Sequence, residues 1–182
     1  MTQFVRTAAA AALISVSALA SVRAQTGANA GSTTSLDARV KRIEDVEEIQ
    51  RLLLDYGRTL DARDFAAYSR LFAKDGVWSG GFGTVQGPSA IQAFMEKAMP
   101  GANTAHNYHL MSNFVIEVTG DTATAWSRWQ FVAPGADGKP AIAQAGRYDD
   151  TLVREDGHWR FKRRTASNDL PASRPGQARE SR

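Results

Sequence analysis

Cysteine is absent from the 182 residues. Its absence excludes a disulfide scaffold, a CxxC redox pair, a thiolate zinc cluster, a cysteine nucleophile and an acylated lipoprotein anchor. Histidine is scarce, with His106, His109 and His158 making up the complement of 3. The first two form an HxxH, but on a strand they would face opposite sides and no third ligand stands nearby, so no metal site is expected. No phosphate loop, nucleophile elbow or dinucleotide fingerprint is present, and the run Gly80 to Gly83 reads as a turn. The sequence therefore points to chemistry without a bound cofactor. What it does hold is an ordinary single-domain composition, 43% hydrophobic and 23% charged,.

The ends differ from the middle. Arg6 is followed by an apolar run, Thr7 to Val22, that falls short of the roughly 20 residues a spanning helix needs. With Val22-Arg23-Ala24 as a small-residue cleavage site, residues 1–24 read as a signal peptide, and the mature protein is expected to be exported, to a periplasm or beyond, with no membrane attachment after cleavage. Residues 25–34 are small and polar and read as a disordered linker; residues 171–182, with two prolines and no large apolar side chain, read as a disordered tail,. The folded domain is then 35–170. The formal charge of +3 would suggest an anionic partner. However, Arg6, Arg23, Arg174, Arg179 and Arg182 lie in the end segments against Glu180 alone, so the domain itself is near neutral. Arg160, Lys162 and Arg164 read as one solvated or dimer-facing strand face, and no nucleic-acid partner is expected.

Within the domain, Val40, Ile43, Ile49, Leu53, Tyr56 and Leu60 recur at three- and four-residue steps and predict a helix over Leu36 to Leu60. Ser35 could cap its start, and Asp45 could cap a second segment if it bends. Asp64 is a suitable N-cap for a short helix, Phe65 to Phe72, ended by Lys74-Asp75-Gly76. Short strands at Val77-Trp78 and Thr84-Val85 precede a third helix, Ala90 to Ala98, entered through Gly87-Pro88-Ser89. Four longer strands follow: Tyr108 to Thr119, Ala123 to Val132, Ile142 to Val153 and Trp159 to Thr165, joined by turns at Gly120-Asp121, Pro134 to Lys139 and Glu155 to Gly157. The order implies an α+β fold, a curved antiparallel sheet wrapped around three helices to form a cone-shaped barrel.

This order, with the stretches Tyr56 to Asp75, Gly87 to Ile91, His109 to Asp121, Gly146 to Asp150 and Asp156 to Phe161, resembles the SnoaL-like branch of the nuclear transport factor two-like superfamily. The likeness is greatest to its dehydratase-type members, the bile acid 7α-dehydratase and scytalone dehydratase kinds. Those enzymes place a Tyr, an Asp and a strand His into the cone, and the resemblance assigns these parts to Tyr56, Asp61 and His109. A further Asp or second His on the next strand has no counterpart here, where Gln130 and Phe131 stand. The resemblance also implies homodimers through the outer sheet face.

On physical grounds Asp61 stands out, because a carboxylate at the C-terminal end of a helix opposes the helix dipole. Burial under aromatic side chains would make it a better proton acceptor, whereas in solvent it would simply pair with Arg58 or Arg63. Tyr56 lies about 140° from Asp61 around an ideal helix, so the two converge only if the helix ends or bends near Asp61. Histidine ordinarily titrates near pH 6.5, which suits His109 to proton transfer. Strict alternation would put His109, Met111, Asn113 and Val115 on one face and Leu110, Phe114 and Ile116 on the other. Trp78, Phe94, Met111, Asn113, Trp126, Trp129 and Tyr148 are the candidate substrate-binding residues, subject to bulges that reset parity. Two functions follow. One is a cofactor-independent lyase (a dehydratase) or isomerase acting on a small hydrophobic, ring-containing molecule. The other is a non-catalytic ligand-binding or assembly module of the same fold.

Overall fold

The structure, a computed structural model, describes residues 30–104 and 106–170. The expected signal peptide and tail lie outside these residues, as do residues 25–29 of the expected linker. By its contacts the chain divides into two units, 1–38 and 39–182.

Helix α1 runs Ala30–Asp61 without interruption. Residues 30–34 of the expected linker are thus helical, and Ser35 is an internal position rather than a cap. Asp45 starts no second segment: it is a buried acid that accepts from Lys41 at 2.6 Å, from Trp159 Nε1 at 3.3 Å and from Arg154. The buried stripe is Ile49, Leu52, Leu53, Tyr56 and Leu60, a three- and four-residue spacing that aims one helix face inward,. Each aliphatic side chain buried there contributes about 1.5–3 kcal/mol. Val40 and Ile43, expected on this stripe, are exposed.

Helix α2 (Phe65–Ser69) is capped as anticipated, with Asp64 Oδ1 accepting from Ala67 N at 2.9 Å. It ends sooner than the sequence suggests, because strand β1 (Phe72–Gly80) already begins at Phe72. Gly76 explains the difference: a Cβ there would come within 2.7 Å of the Phe161 carbonyl oxygen, so its bareness lets β1 bulge past the last strand instead of turning away,. Strand β2 (Gly83–Gln86) pairs back on β1, and helix α3 (Pro88–Ala98) follows with Ile91 and Met95 buried.

The long strands are β3 (Tyr108–Thr119), β4 (Thr122–Pro134), β5 (Pro140–Glu155) and β6 (His158–Leu170). With β1 and β2 they form one six-stranded sheet in the order β2-β1-β6-β5-β4-β3, antiparallel except where β1 runs parallel to β6. The fold is α+β, a curved sheet closing on helices. Among the described residues no helix is long and apolar enough to cross a membrane.

Candidate functional site

Helix α1 ends in a left-handed residue, Arg63 at φ 58°. Its N–H donates to Leu60 O at 3.1 Å and Asp64 N donates to Thr59 O at 3.0 Å, the paired bonds of a Schellman motif,. The chain therefore turns sharply just after Asp61 and leaves that carboxylate at the helix tip. There Asp61 Oδ2 accepts the backbone N–H of His109 at 2.8 Å, and Asp61 Oδ1 lies 2.6 Å from His109 Nδ1. Two N–H groups so placed offset the unfavourable helix dipole. Both side chains are mostly shielded, 18% exposed for Asp61 and 13% for His109.

A carboxylate beside Nδ1 places the ring's proton on that nitrogen and leaves the Nε2 lone pair free for another group. Among the described residues Nε2 has no protein partner. The two residues therefore have unequal parts. Asp61 is committed to holding and orienting the imidazole, and His109 Nε2 is the atom available for proton transfer.

Around this pair the wall is aromatic. The His109 ring lies 5.0 Å from Phe131 and 6.1 Å from Trp129, centroid to centroid, and Trp129 lies 5.8 Å from Tyr148. Gly146 makes room for Trp129, since a Cβ there would meet the indole at 2.7 Å and the Ser167 carbonyl at 1.9 Å. Trp129 Nε1 donates to Arg147 O at 3.2 Å, which fixes the ring. Met111 is half-buried beside His109, with both facing Gly57 of α1. Trp78 is buried against Phe94, at 5.5 Å.

Asn113 and Trp126 do not join this wall. A bulge between Ser112 and Val115 puts Asn113 at φ 55° and exposed, so the alternation flips and Phe114, Ile116 and Val118 take the inward positions beyond Met111. Trp126 alternates with buried Ala125 and Ser127, pairs in register with exposed Val115 and carries Arg128 over its ring, all on the outer face. Phe131, unassigned from the sequence, takes the place against His109.

Behind the wall is a buried polar group that the sequence concealed. Arg164, expected on a solvated or dimer-facing strand face, is fully buried and forked onto Asp150, with Nε to Oδ1 at 2.8 Å and Nη2 to Oδ2 at 2.7 Å. A second bulge, around Lys162, reverses the strand parity and turns Arg164 inward. Its guanidinium carbon lies 4.0 Å from the Tyr56 ring centroid, 4.1 Å from Tyr148 and 4.2 Å from Phe161. Burial drives the Tyr68 and Tyr148 phenols well above their ordinary range, an effect the neighbouring Tyr56 adds to, so both stay protonated. Burial also pushes the Asp150 carboxyl upward, against the pull of Arg164. Tyr56 accepts from Trp78 Nε1 at 3.0 Å, leaving its own phenol proton to donate elsewhere. Tyr68 Oη, Ser127 Oγ and Arg164 Nη1 are buried without hydrogen-bond partners. Unpaired buried polar atoms are costly.

A family model described as a SnoaL-like domain matches residues 41–165. An uncharacterised protein of Mycobacterium tuberculosis H37Rv, Rv2910c, is 32% identical over 130 residues, 69% of this chain and 86% of its own. A solved nuclear transport factor two-like protein with a cystatin-like fold, from Novosphingobium aromaticivorans, superposes with a TM-score of 0.68 at 30% identity, over 78% of this chain and 92% of that one. A second protein from that organism, provisionally named a scytalone dehydratase, superposes with a TM-score of 0.59 at 25% identity, over 71% and 87% of the two chains.

Proposed function

The chain belongs to the SnoaL-like family, and from that premise we propose that it is a cofactor-independent lyase or isomerase of a small, largely apolar, ring-containing molecule. The observation that carries this reading is the Asp61–His109 pair, with Nδ1 held at 2.6 Å and Nε2 without a partner among the described residues. His109 Nε2 takes a proton from a substrate carbon; the C–H electron pair forms a double bond. In an elimination the C–O bond beside it breaks, and the departing oxygen receives the proton from His109 and leaves as water. In an isomerisation the proton returns to a different carbon. The Tyr56 phenol, with Tyr68 and Arg164 Nη1, supplies donors for the oxygen on which charge develops. The provisional dehydratase among the similar structures supports the elimination.

The test is product analysis by mass spectrometry after incubation with a panel of cyclic alcohols and ketones, for the wild type, His109→Gln and Asp61→Asn. Loss of a general base costs typically 10²–10⁴-fold, so His109→Gln should lose about that much turnover. Full turnover in both variants refutes the mechanism. Tight binding without any product identifies a ligand-binding module of the same fold.

The same reading has the protein exported after loss of residues 1–24, which N-terminal sequencing of the mature protein checks. It also has two copies pairing through the outer sheet face, where Leu110 is exposed and Val115 is exposed opposite Trp126. Light scattering reads that mass.

A further inference from the structure

The loop joining α3 to β3 contains one side chain that grips both elements bearing the Asp61–His109 pair. Asn103 Nδ2 donates to Asp61 O at 3.0 Å and to Asn107 O at 2.7 Å. The first acceptor is one of the helix-end carbonyls that have no partner within their own helix. The neighbouring carbonyls of that turn are already engaged: Arg58 O by Ala62 N, Thr59 O by Asp64 N, and Leu60 O by Arg63 through both its backbone N–H and its Nη1. Asp61 O is left to Asn103. The second acceptor, Asn107 O, stands at the entry to β3, two residues before His109. One amide group thus ties the main chain of the acid to the main chain leading to the base, while the Asp61 carboxylate ties the same two elements through its contacts with His109 N and Nδ1. Both acceptors are carbonyl oxygens, so the amide nitrogen must face them and no flipped orientation serves.

We propose that Asn103 is the positioning residue of the pair: it fixes the tip of α1 against the start of β3 so that Nδ1 of His109 is held by Asp61 and Nε2 is presented to the substrate. The proposal rests on the dyad reading above. It also explains the residue type. An aspartate would match the shape but aim a carboxylate oxygen at two carbonyls, and an alanine would leave both unpaired.

The experiment uses the full chain with histidine ¹⁵N-labelled, and reads the tautomer of His109 from long-range ¹H–¹⁵N spectra of the wild type, Asn103→Asp and Asn103→Ala. The expected wild-type pattern is a protonated Nδ1 with a bare Nε2. Asn103→Asp should lose that pattern in favour of the Nε2-protonated tautomer or a mixture, with His106 and His158 unchanged. Asn103→Ala, which removes the tie without adding repulsion, should move in the same direction and gives the answer if the aspartate variant does not fold. A melting temperature lowered in both variants with the wild-type tautomer intact means that Asn103 serves only loop stability, and overturns the proposal. A wild type whose His109 lacks the Nδ1-protonated pattern overturns the dyad itself, a failure visible before any variant is made.

Discussion

Replacing Asp150 by Asn is the most searching test of the interior. The side chains of Asp150 and Arg164 are both 0% exposed, and two hydrogen bonds of 2.8 and 2.7 Å join them. An arginine does not deprotonate to escape burial, so without the carboxylate its charge stays and goes uncompensated. Removing one member of such a pair costs about 3–5 kcal/mol. The faces of Tyr56, Tyr148 and Phe161 still stabilise the cation in the variant, which sets the expectation at the lower end, about 3 kcal/mol. In a domain of this size that lowers the melting temperature by roughly 10–15 °C. The double change Asp150→Leu with Arg164→Met leaves no charge and should return to within about 1 kcal/mol of wild type. Arg164→Met alone should show a distinctive pH response. Burial already holds the Asp150 carboxyl above its ordinary range, and losing its cation raises it further. A group raised on folding contributes stability that is present below its unfolded pKa and lost as the pH climbs through the folded one. This variant should accordingly be most stable in acid and weaken toward neutrality. Urea unfolding followed by circular dichroism measures all three. Asp150→Asn costing under about 1 kcal/mol, or the double change costing as much as Asp150→Asn, refutes the account of this pair.

Other positions give further tests. Burial works to raise the Asp45 carboxyl, yet the bonds from Lys41, Arg154 and Trp159 hold it below its ordinary value. Its contribution is therefore complete above the unfolded pKa and lost as the pH falls through the lower folded one, and Asp45→Asn should cost about 2 kcal/mol at neutrality and less in acid, read by pH-dependent unfolding. Gly146→Ala drives a methyl into the Ser167 carbonyl and the Trp129 ring; a loss of about 3 kcal/mol and a shift in tryptophan fluorescence are expected. Asn113 sits at φ 55° on the outer side of the bulge. Asn113→Val should cost about 1–2 kcal/mol by the strain of a β-branched residue there, Asn113→Gly should be close to neutral, and neither should change turnover.

The order of elements was legible because each boundary has a local cause. Asp64 caps α2, Gly87-Pro88 opens α3, and Gly120-Asp121 joins β3 to β4, all within a few residues of the sequence that specifies them. The pairing of Asp61 with His109 was legible in part. Its members could be named, but their division of labour depends on a bond across 48 residues that no local pattern encodes. Arg164 was hidden altogether. On a regular strand it shares a face with Arg160 and Lys162, and only the extra residue at Lys162 turns it inward. Asn103 gave no periodic signal, being a loop residue whose value lies in two carbonyls belonging to other elements.

The placement of the bulges is itself informative about the site. On β3 the irregularity falls after Ser112, so the stretch bearing His109 and Met111 keeps its regular register with β4, His109 opposite Phe131 and Met111 opposite Trp129. Beyond it the parity reverses, and Phe114, Ile116 and Val118 pack against the core. Regular strand therefore carries His109 to its contact with Asp61, and the inserted residue falls beyond it. On β6 the arrangement is opposite in effect, since there the insertion at Lys162 carries Arg164 into the interior beside Tyr56 and Tyr148. A strict two-residue alternation on both strands would bring Arg163 inward in place of Arg164, and Asn113 in place of Phe114. The inward placing of Arg164 and of Phe114 thus comes from two single-residue departures from the pleat, while the Asp61–His109 contact comes from the Schellman end of α1 meeting a strand start that does not depart from it.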